Sequence, residues 1–338
     1  MSRPFPCACP NNWLGTASFR PALAGGERGP RPACRCCHPR YGKEKTVTNP
    51  TSSATPIPIV DTHQHLWDLR RFRLPWLQDV PQLDRSFLAE DYRQATAGLN
   101  VVKSIYMEVD LDPAQQVEEA EYVIDLCTRG DSSMVAAVIA GRPASPVFKT
   151  YISRFAGVPY VKGVRQVLHV ATTPPGYCLD PQFVRGIQLL GELGMSFDLC
   201  MRSPELQDGV QLVDACPHTR FILDHCGNAS VQAPDLSQWQ KDIAALAARQ
   251  NVVCKVSGIV ASAKPGVWRP ADLEPIVKHV LREFGPDRVL FGGDWPVCTL
   301  TATYRQWVEA LWWIVRDLGP ADQRQLFHDN AVRFYGLE

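Results

Sequence analysis

From residue 57 onward the chain alternates between two patterns. Short, nearly continuous apolar and β-branched runs fall at 57–62, 102–109, 134–140, 160–166, 195–201, 219–224, 251–257 and 288–293. Strands buried on both faces read this way, and parallel strands flanked by helices are buried on both faces. Between the runs lie helical patterns with legible ends. Asp112-Pro113 offers an N-cap followed by a first-turn proline, Gly130 stands at the far end, and Val117, Ala120, Ile124 and Cys127 keep helical spacing between them. The same scheme returns from Asp180-Pro181 to Gly194, from Ser203-Pro204 onward, and from Pro270 to Gly285. Eight strand–helix units predict an α/β fold of the closed (β/α)8 TIM barrel class, a single domain over residues 56–338. A doubly wound open sheet is disfavoured by that count and by the lack of a G-x-G-x-x-G turn after the first strand.

Residues 1–55 show no such pattern. They are rich in Pro, Gly, Ser, Thr and Arg and are expected to be a disordered, low-complexity extension. The spacings of Cys7 and Cys9, and of Cys34, Cys36, Cys37 and His38, match no standard zinc module. An Arg-rich organellar presequence is one reading of the segment. A start-site artefact is another, with translation beginning near Val47.

Charge sharpens this division. The formal net charge of the 338 residues is +0, yet residues 1–45 carry eight Lys/Arg against Glu27 and Glu44, leaving the rest at −6. Nothing global points to nucleic acid, and no apolar run approaches the ~20 residues of a membrane span. Of the 12 cysteines, seven are scattered singly through the patterned region in apolar surroundings, as at Cys200 and Cys254. Buried reduced thiols are spaced this way, which favours a cytoplasmic protein.

The candidate chemistry sits where the apolar runs end. In a (β/α)8 barrel the active site lies at the C-terminal rim of the strands. The first run closes on Asp61-Thr62-His63-Gln64-His65, and residues two apart on a strand share a face, so His63 and His65 can converge on one point. The second run carries Glu108, the fourth Lys162 and Arg165, the sixth ends in Asp224-His225, and the eighth in Gly293-Asp294-Trp295-Pro296. Taken singly, each has an ordinary structural reading as a core histidine, an ion-pair partner or a turn cap. Together they deliver imidazoles and a carboxylate to one rim, and these are ligand types for a first-row metal or groups for general acid–base work. His169, His218, His279 and His328 fall in helices or loops and are expected to be surface or packing residues.

Three separated motifs, Val60-Asp61-Thr62-His63-Gln64-His65-Leu66-Trp67-Asp68, Leu223-Asp224-His225-Cys226-Gly227 and Phe291-Gly292-Gly293-Asp294-Trp295-Pro296, resemble the amidohydrolase superfamily. They are most similar to its amidohydrolase-2 branch of sugar lactonases (fucono- and rhamnono-lactonase types), as is the ending Asn330-Ala331-Val332-Arg333-Phe334-Tyr335-Gly336-Leu337. The resemblance implies a hydrolase that opens a lactone ring, of a sugar in the first instance, on a small-molecule substrate. It implies His63, His65 and Asp294 as ligands of one divalent metal, zinc or manganese, with metal-free catalysis as the alternative. It makes Asp294 the catalytic carboxylate and His225 a ligand or a group that polarises the carbonyl. Trp67, Glu108, Arg165 and Trp295 are the expected substrate-binding residues. Two metals are not expected, because Lys162 opens its strand and the fifth strand, Phe197-Asp198-Leu199-Cys200, lacks the histidine of binuclear members. A metal-dependent decarboxylase of an unsaturated or aromatic acid is the rival reading.

Overall fold

The computed structural model describes residues 57–337. The expectations about residues 1–56, including the start near Val47, lie outside the described residues.

Eight strands appear where the apolar runs predict them. They are β1 (Ile59–Gln64), β2 (Val101–Met107), β3 (Met134–Ala140), β4 (Val161–Val167), β5 (Ser196–Cys200), β6 (Arg220–Leu223), β7 (Val252–Val256) and β8 (Val289–Phe291). All neighbours pair parallel in chain order. The barrel closes where β1 meets the chain after β8: the Asp294 amide donates to the His63 carbonyl at 2.8 Å, and the His65 amide to the Trp295 carbonyl at 2.8 Å. The covering helices include α1 (Ala89–Ala95), α2 (Gln116–Arg129), α3 (Phe148–Ser153), α4 (Pro181–Glu192) and α5 (Leu206–Ala215). Their ends follow the sequence signals. The Asp180 carboxylate caps α4 through the Gln182 and Phe183 amides, and Gly130 ends α2 at φ 63°.

Two apolar layers hold the fold. The larger packs the helices onto the outside of the strands. The smaller fills the lower lumen with Val60, Ile105, Met107, Val138, Ile222 and Leu290, and the C-terminal segment seals that end with Ala331, Tyr335 and Leu337. Above this plug the inward positions turn polar. On β5 Ser196, Asp198 and Cys200 share a face, and on β7 Val253 and Lys255 do. Lys255, Asp198 and Glu108 are fully buried, and Arg165 nearly so. Long charged side chains rarely enter a core unpaired, so their partners define what the upper barrel is for.

Candidate active site

Asp61 joins the two halves of the rim. Its Oδ1 accepts hydrogen bonds from the amides of Gly293 (2.7 Å) and His63 (3.0 Å). Its Oδ2 accepts from the Tyr92 hydroxyl at 2.8 Å and the Tyr304 hydroxyl at 3.0 Å. One carboxylate thus fixes the backbone on both sides of the closure. Gly293 is required here, because a Cβ would stand 2.3 Å from Tyr304 and 2.6 Å from the Asp61 carboxylate. Four non-glycine residues that line the cavity, Asp110, His225, Asn228 and Asp294, have φ near +50°. Such conformations cost energy and cluster where a side chain must be aimed.

Asp294 is aimed at the histidines of β1 and its continuation. Its Oδ1 lies 3.4 Å from His65 Nε2 and 3.7 Å from His63 Nε2. His65 Nδ1 sits 2.9 Å from the Met107 carbonyl. That carbonyl can only accept, so Nδ1 carries a proton and Nε2 is the nitrogen turned to the Asp294 side. His225 begins a left-handed turn, with positive φ at each residue from His225 to Asn228, and its Nδ1 meets the Ser257 hydroxyl at 2.9 Å. Burial lowers the pKa of His225 and lowers that of His63 well below the ordinary histidine value, so both rings are neutral.

Beneath these groups runs a chain of buried charge. Arg165 donates from Nε to Glu108 Oε1 and from Nη2 to the Glu108 carbonyl, both at 2.6 Å, while Nη1 lies 3.2 Å from His63 Nε2 and 3.5 Å from Asp224 Oδ2. Asp224 in turn lies 3.5 Å from His63 Nδ1 and 3.2 Å from Lys255 Nζ, and Lys255 also bonds Asp198. Burial opposes the charge on Lys255, but Asp198 and Asp224 outweigh it and its pKa is raised. Burial pushes Asp198 up to about 7. It would raise Asp224 too, yet Lys255 and His63 hold that carboxyl well below the usual range. Lys255 and Asp198 were not expected as site residues, being hidden inside runs that otherwise read as apolar strands, while Asp224 was expected at its strand end but with no role.

A cavity of about 400 Å³ opens above. His65, Trp67, Arg165, His225 and Asp294 line it as expected, and so do Asp110, His169, Cys200 and Asn228. His169 is exposed, as expected of a surface residue, and it also borders the cavity: the loop after β4 brings its Nδ1 to 3.4 Å from Cys200 Sγ, at the end of the strand that lacks a histidine of its own. Two expected substrate-binding residues are elsewhere. Trp295 is turned into the core, edge-on to Phe87 at 5.4 Å and Tyr92 at 5.4 Å between ring centres. Glu108 spends one carboxylate oxygen on Arg165 and the other on the Asp110 amide at 2.7 Å. Asp110, at the cavity rim, is pushed up to about 6 by burial and by the charge of Glu108.

The donor set was tested against a divalent ion. His63, His65 and Asp294 each offer one ligand atom, all within 4.8 Å of one another, and His63, Asp224 and His225 form a second such group. Around them the carboxylates of Glu108, Asp198, Asp224 and Asp294 outnumber the permanent cations Arg165 and Lys255. Both the ligand types and the charge balance fit a divalent cation. Arg165 Nη1 faces the same His63 lone pair, so ion and guanidinium compete for it.

Comparison with known proteins gives the family. The amidohydrolase family model matches residues 60–337. An uncharacterised protein of Sinorhizobium fredii is 26% identical over 82% of this chain and 98% of its own length. An L-fucono-1,5-lactonase of Burkholderia multivorans is 27% identical over 82% of this chain and 96% of its own. Among solved structures, a zinc-bound amidohydrolase from Burkholderia multivorans superposes with a TM-score of 0.74 at 26% identity, covering 83% of this chain and all of that one. With the barrel, the rim geometry and the family match in agreement, this chain belongs to the amidohydrolase family.

Proposed function

We propose that this protein hydrolyses a lactone, and that the closest class to test first is the sugar lactones on which its named relative acts. The observation that carries the reading is the Asp294 carboxylate, held at the cavity wall between the Nε2 atoms of His65 and His63. A carboxylate so placed can hold a water by one oxygen and accept its proton. The water oxygen then bonds to the ring carbonyl carbon. His225, which lines the cavity, serves as donor to the resulting oxyanion in the tautomer in which the Ser257 hydroxyl donates to Nδ1 and Nε2 carries the proton. Arg165, fixed at two points by Glu108, adds positive charge at the same wall. As the tetrahedral species collapses, the acyl–oxygen bond breaks and Asp294 returns its proton to the departing ring oxygen. The products are a carboxylic acid and a hydroxyl on one open chain.

A zinc or manganese ion would be held by His63, His65 and Asp294, where such an ion supplies Lewis acidity and lowers the pKa of bound water to ~7. The decarboxylase alternative gains no specific support, since β5 ends in Cys200 rather than histidine. A reducing, cytoplasmic setting is supported by the buried free thiols of Cys127, Cys178, Cys200, Cys216, Cys226, Cys254 and Cys298. We place the domain boundary near residue 56, just before β1. Acid release from a panel of aldonolactones, followed with a pH indicator, tests the reading. Activity that Asp294→Asn abolishes is expected, and no acid from any lactone with folded protein would overturn it.

A further inference from the structure

The upper wall of the cavity specifies more than lactone chemistry. It is formed largely by Trp67, Trp76, Val109, Val167, Val170 and Val297. Both indole N–H groups are committed to the protein: Trp67 Nε1 donates to the Arg85 carbonyl at 2.6 Å and Trp76 Nε1 to the Val109 carbonyl at 2.8 Å. The tryptophans therefore offer the ligand hydrocarbon surface and no donor. Two polar wall residues are partly occupied. Ser262 Oγ donates to the Ile259 carbonyl at 2.8 Å and accepts from the Val231 amide at 3.2 Å, while Asn228 Nδ2 donates to the Met201 carbonyl at 2.8 Å. Above the floor, Asp110 and His169 are the polar side chains of this wall not bonded through their heads to a backbone carbonyl.

A fully hydroxylated lactone entering this space would strip water from several hydroxyls and find few replacements, at about 1–3 kcal/mol for each one left unsatisfied. An alkyl arm in the same place gains about 0.8 kcal/mol per buried methylene. The cavity, about 400 Å³, lies toward the small end of ligand sites (roughly 300–1,000 Å³), which suits one ring and one arm.

Resting on the lactonase reading above, we infer that the substrate is a lactone whose ring bears an apolar alkyl or aryl arm. The ester lies over Asp294 and the arm lies against Trp67, Trp76 and the valines. The hydrolysis is the step already described, with the arm as its specificity handle.

The test compares kcat/KM of the full chain, with and without added zinc, for three lactones. γ-Nonalactone and D-galactono-1,4-lactone share a five-membered ring and differ in the arm and in the two ring hydroxyls of the sugar, and dihydrocoumarin supplies a fused aryl ring on a six-membered lactone. An apolar pocket discriminates against an added hydroxyl by up to about 100-fold, so γ-nonalactone is expected to exceed galactonolactone by about 10–100-fold. Val170→Asn is expected to shrink that ratio at least threefold, by lowering nonalactone turnover and raising that of galactonolactone. Equal rates, or a preference for galactonolactone, would overturn the inference while leaving the lactonase reading intact. A ratio that Val170→Asn leaves unchanged would also overturn it, since the wall would then not be what selects. Acid from none of the three, in folded protein, would overturn the lactonase reading itself and the inference with it.

Discussion

Below the cavity, Glu108, Arg165, Asp224, Lys255 and Asp198 form an unbroken series of buried charges, each within 3.5 Å of the next. Above it, Trp67, Trp76, Val167 and Val170 present hydrocarbon, with the indole N–H groups turned away. The floor comes mainly from strands and the residues that end them, whose backbone is fixed by the parallel ladder. Much of the wall comes from loops: Trp67 and Trp76 follow β1, Val170 follows β4, and Ala261 and Val297 follow β7 and β8. Rigid positions carry groups whose geometry must be held closely for proton transfer, and loops carry the surfaces that choose among substrates. Chemistry and selection are thus separable in this barrel, and each can be disturbed without the other.

The largest disturbance should come from the floor's edge. Asp294→Asn keeps the shape of the side chain but removes the base, and kcat/KM should fall by about 10³-fold or more. Thermal melting should change little, because the backbone closure is held by Asp61 rather than by Asp294. A loss of less than tenfold would mean that the base lies elsewhere and that the division between floor and wall is misplaced.

Next comes Lys255→Met. It leaves Asp224 and Asp198 buried with their shared cation gone, which should cost about 3–5 kcal/mol in chemical denaturation. Adding Asp198→Leu should recover part of that loss, since an apolar pair of similar volume avoids the uncompensated charge. A wall change such as Val297→Ala, at a half-buried position, should cost about 1–2 kcal/mol or less. Equal costs at the two positions would erase the distinction.

A third measurement concerns the support under the wall. Glu119 Oε1 accepts from the Tyr106 hydroxyl at 2.8 Å and from the Val109 amide at 3.1 Å, fixing the end of β2 where the wall begins. Burial and then Glu108 push its carboxyl up to about 8 from 4.5. The folded state therefore binds this proton more tightly than the unfolded chain. Its contribution to stability is complete below about pH 4.5 and is lost as pH rises through about 8. Glu119→Gln should remove a slope of up to about 1.4 kcal/mol per pH unit within that window. Parallel curves for the two proteins would show that Glu119 titrates normally.

The same division explains what was legible in the sequence. β-branched runs announce parallel strands directly, and the rim is found by asking which polar residues end them, so His63, His65, His225 and Asp294 could be named in advance. Lys255 and Asp198 could not, because a polar residue inside an apolar run counts as noise until its inward parity is known. Trp295 was expected at the substrate from the family resemblance. The positive φ at Asp294 turns the chain there, and the indole enters the core between Phe87 and Tyr92. His169 lies at the surface as expected, but its place beside the cavity was not foreseen, for the converse reason. It lies on a loop with no periodicity, and only the fold shows that the loop crosses to the end of β5 beside Cys200.

Arg165→Lys gives the smallest effect and probes the joint between floor and wall. Arg165 belongs to the charge network through Glu108 and Asp224 and also lines the cavity. Lysine keeps the charge but cannot reach the Glu108 carboxylate and carbonyl together while also facing His63, so its head would not be fixed. If Arg165 acts by holding charge in place for the transition state, kcat should fall about tenfold with KM nearly unchanged. If it acts by binding the ground-state substrate, KM should rise instead. The variant also vacates the His63 Nε2 lone pair that Arg165 faces, so zinc binding followed by calorimetry should tighten. Unchanged affinity would show that guanidinium and ion do not compete, and that the metal ligands lie away from His63.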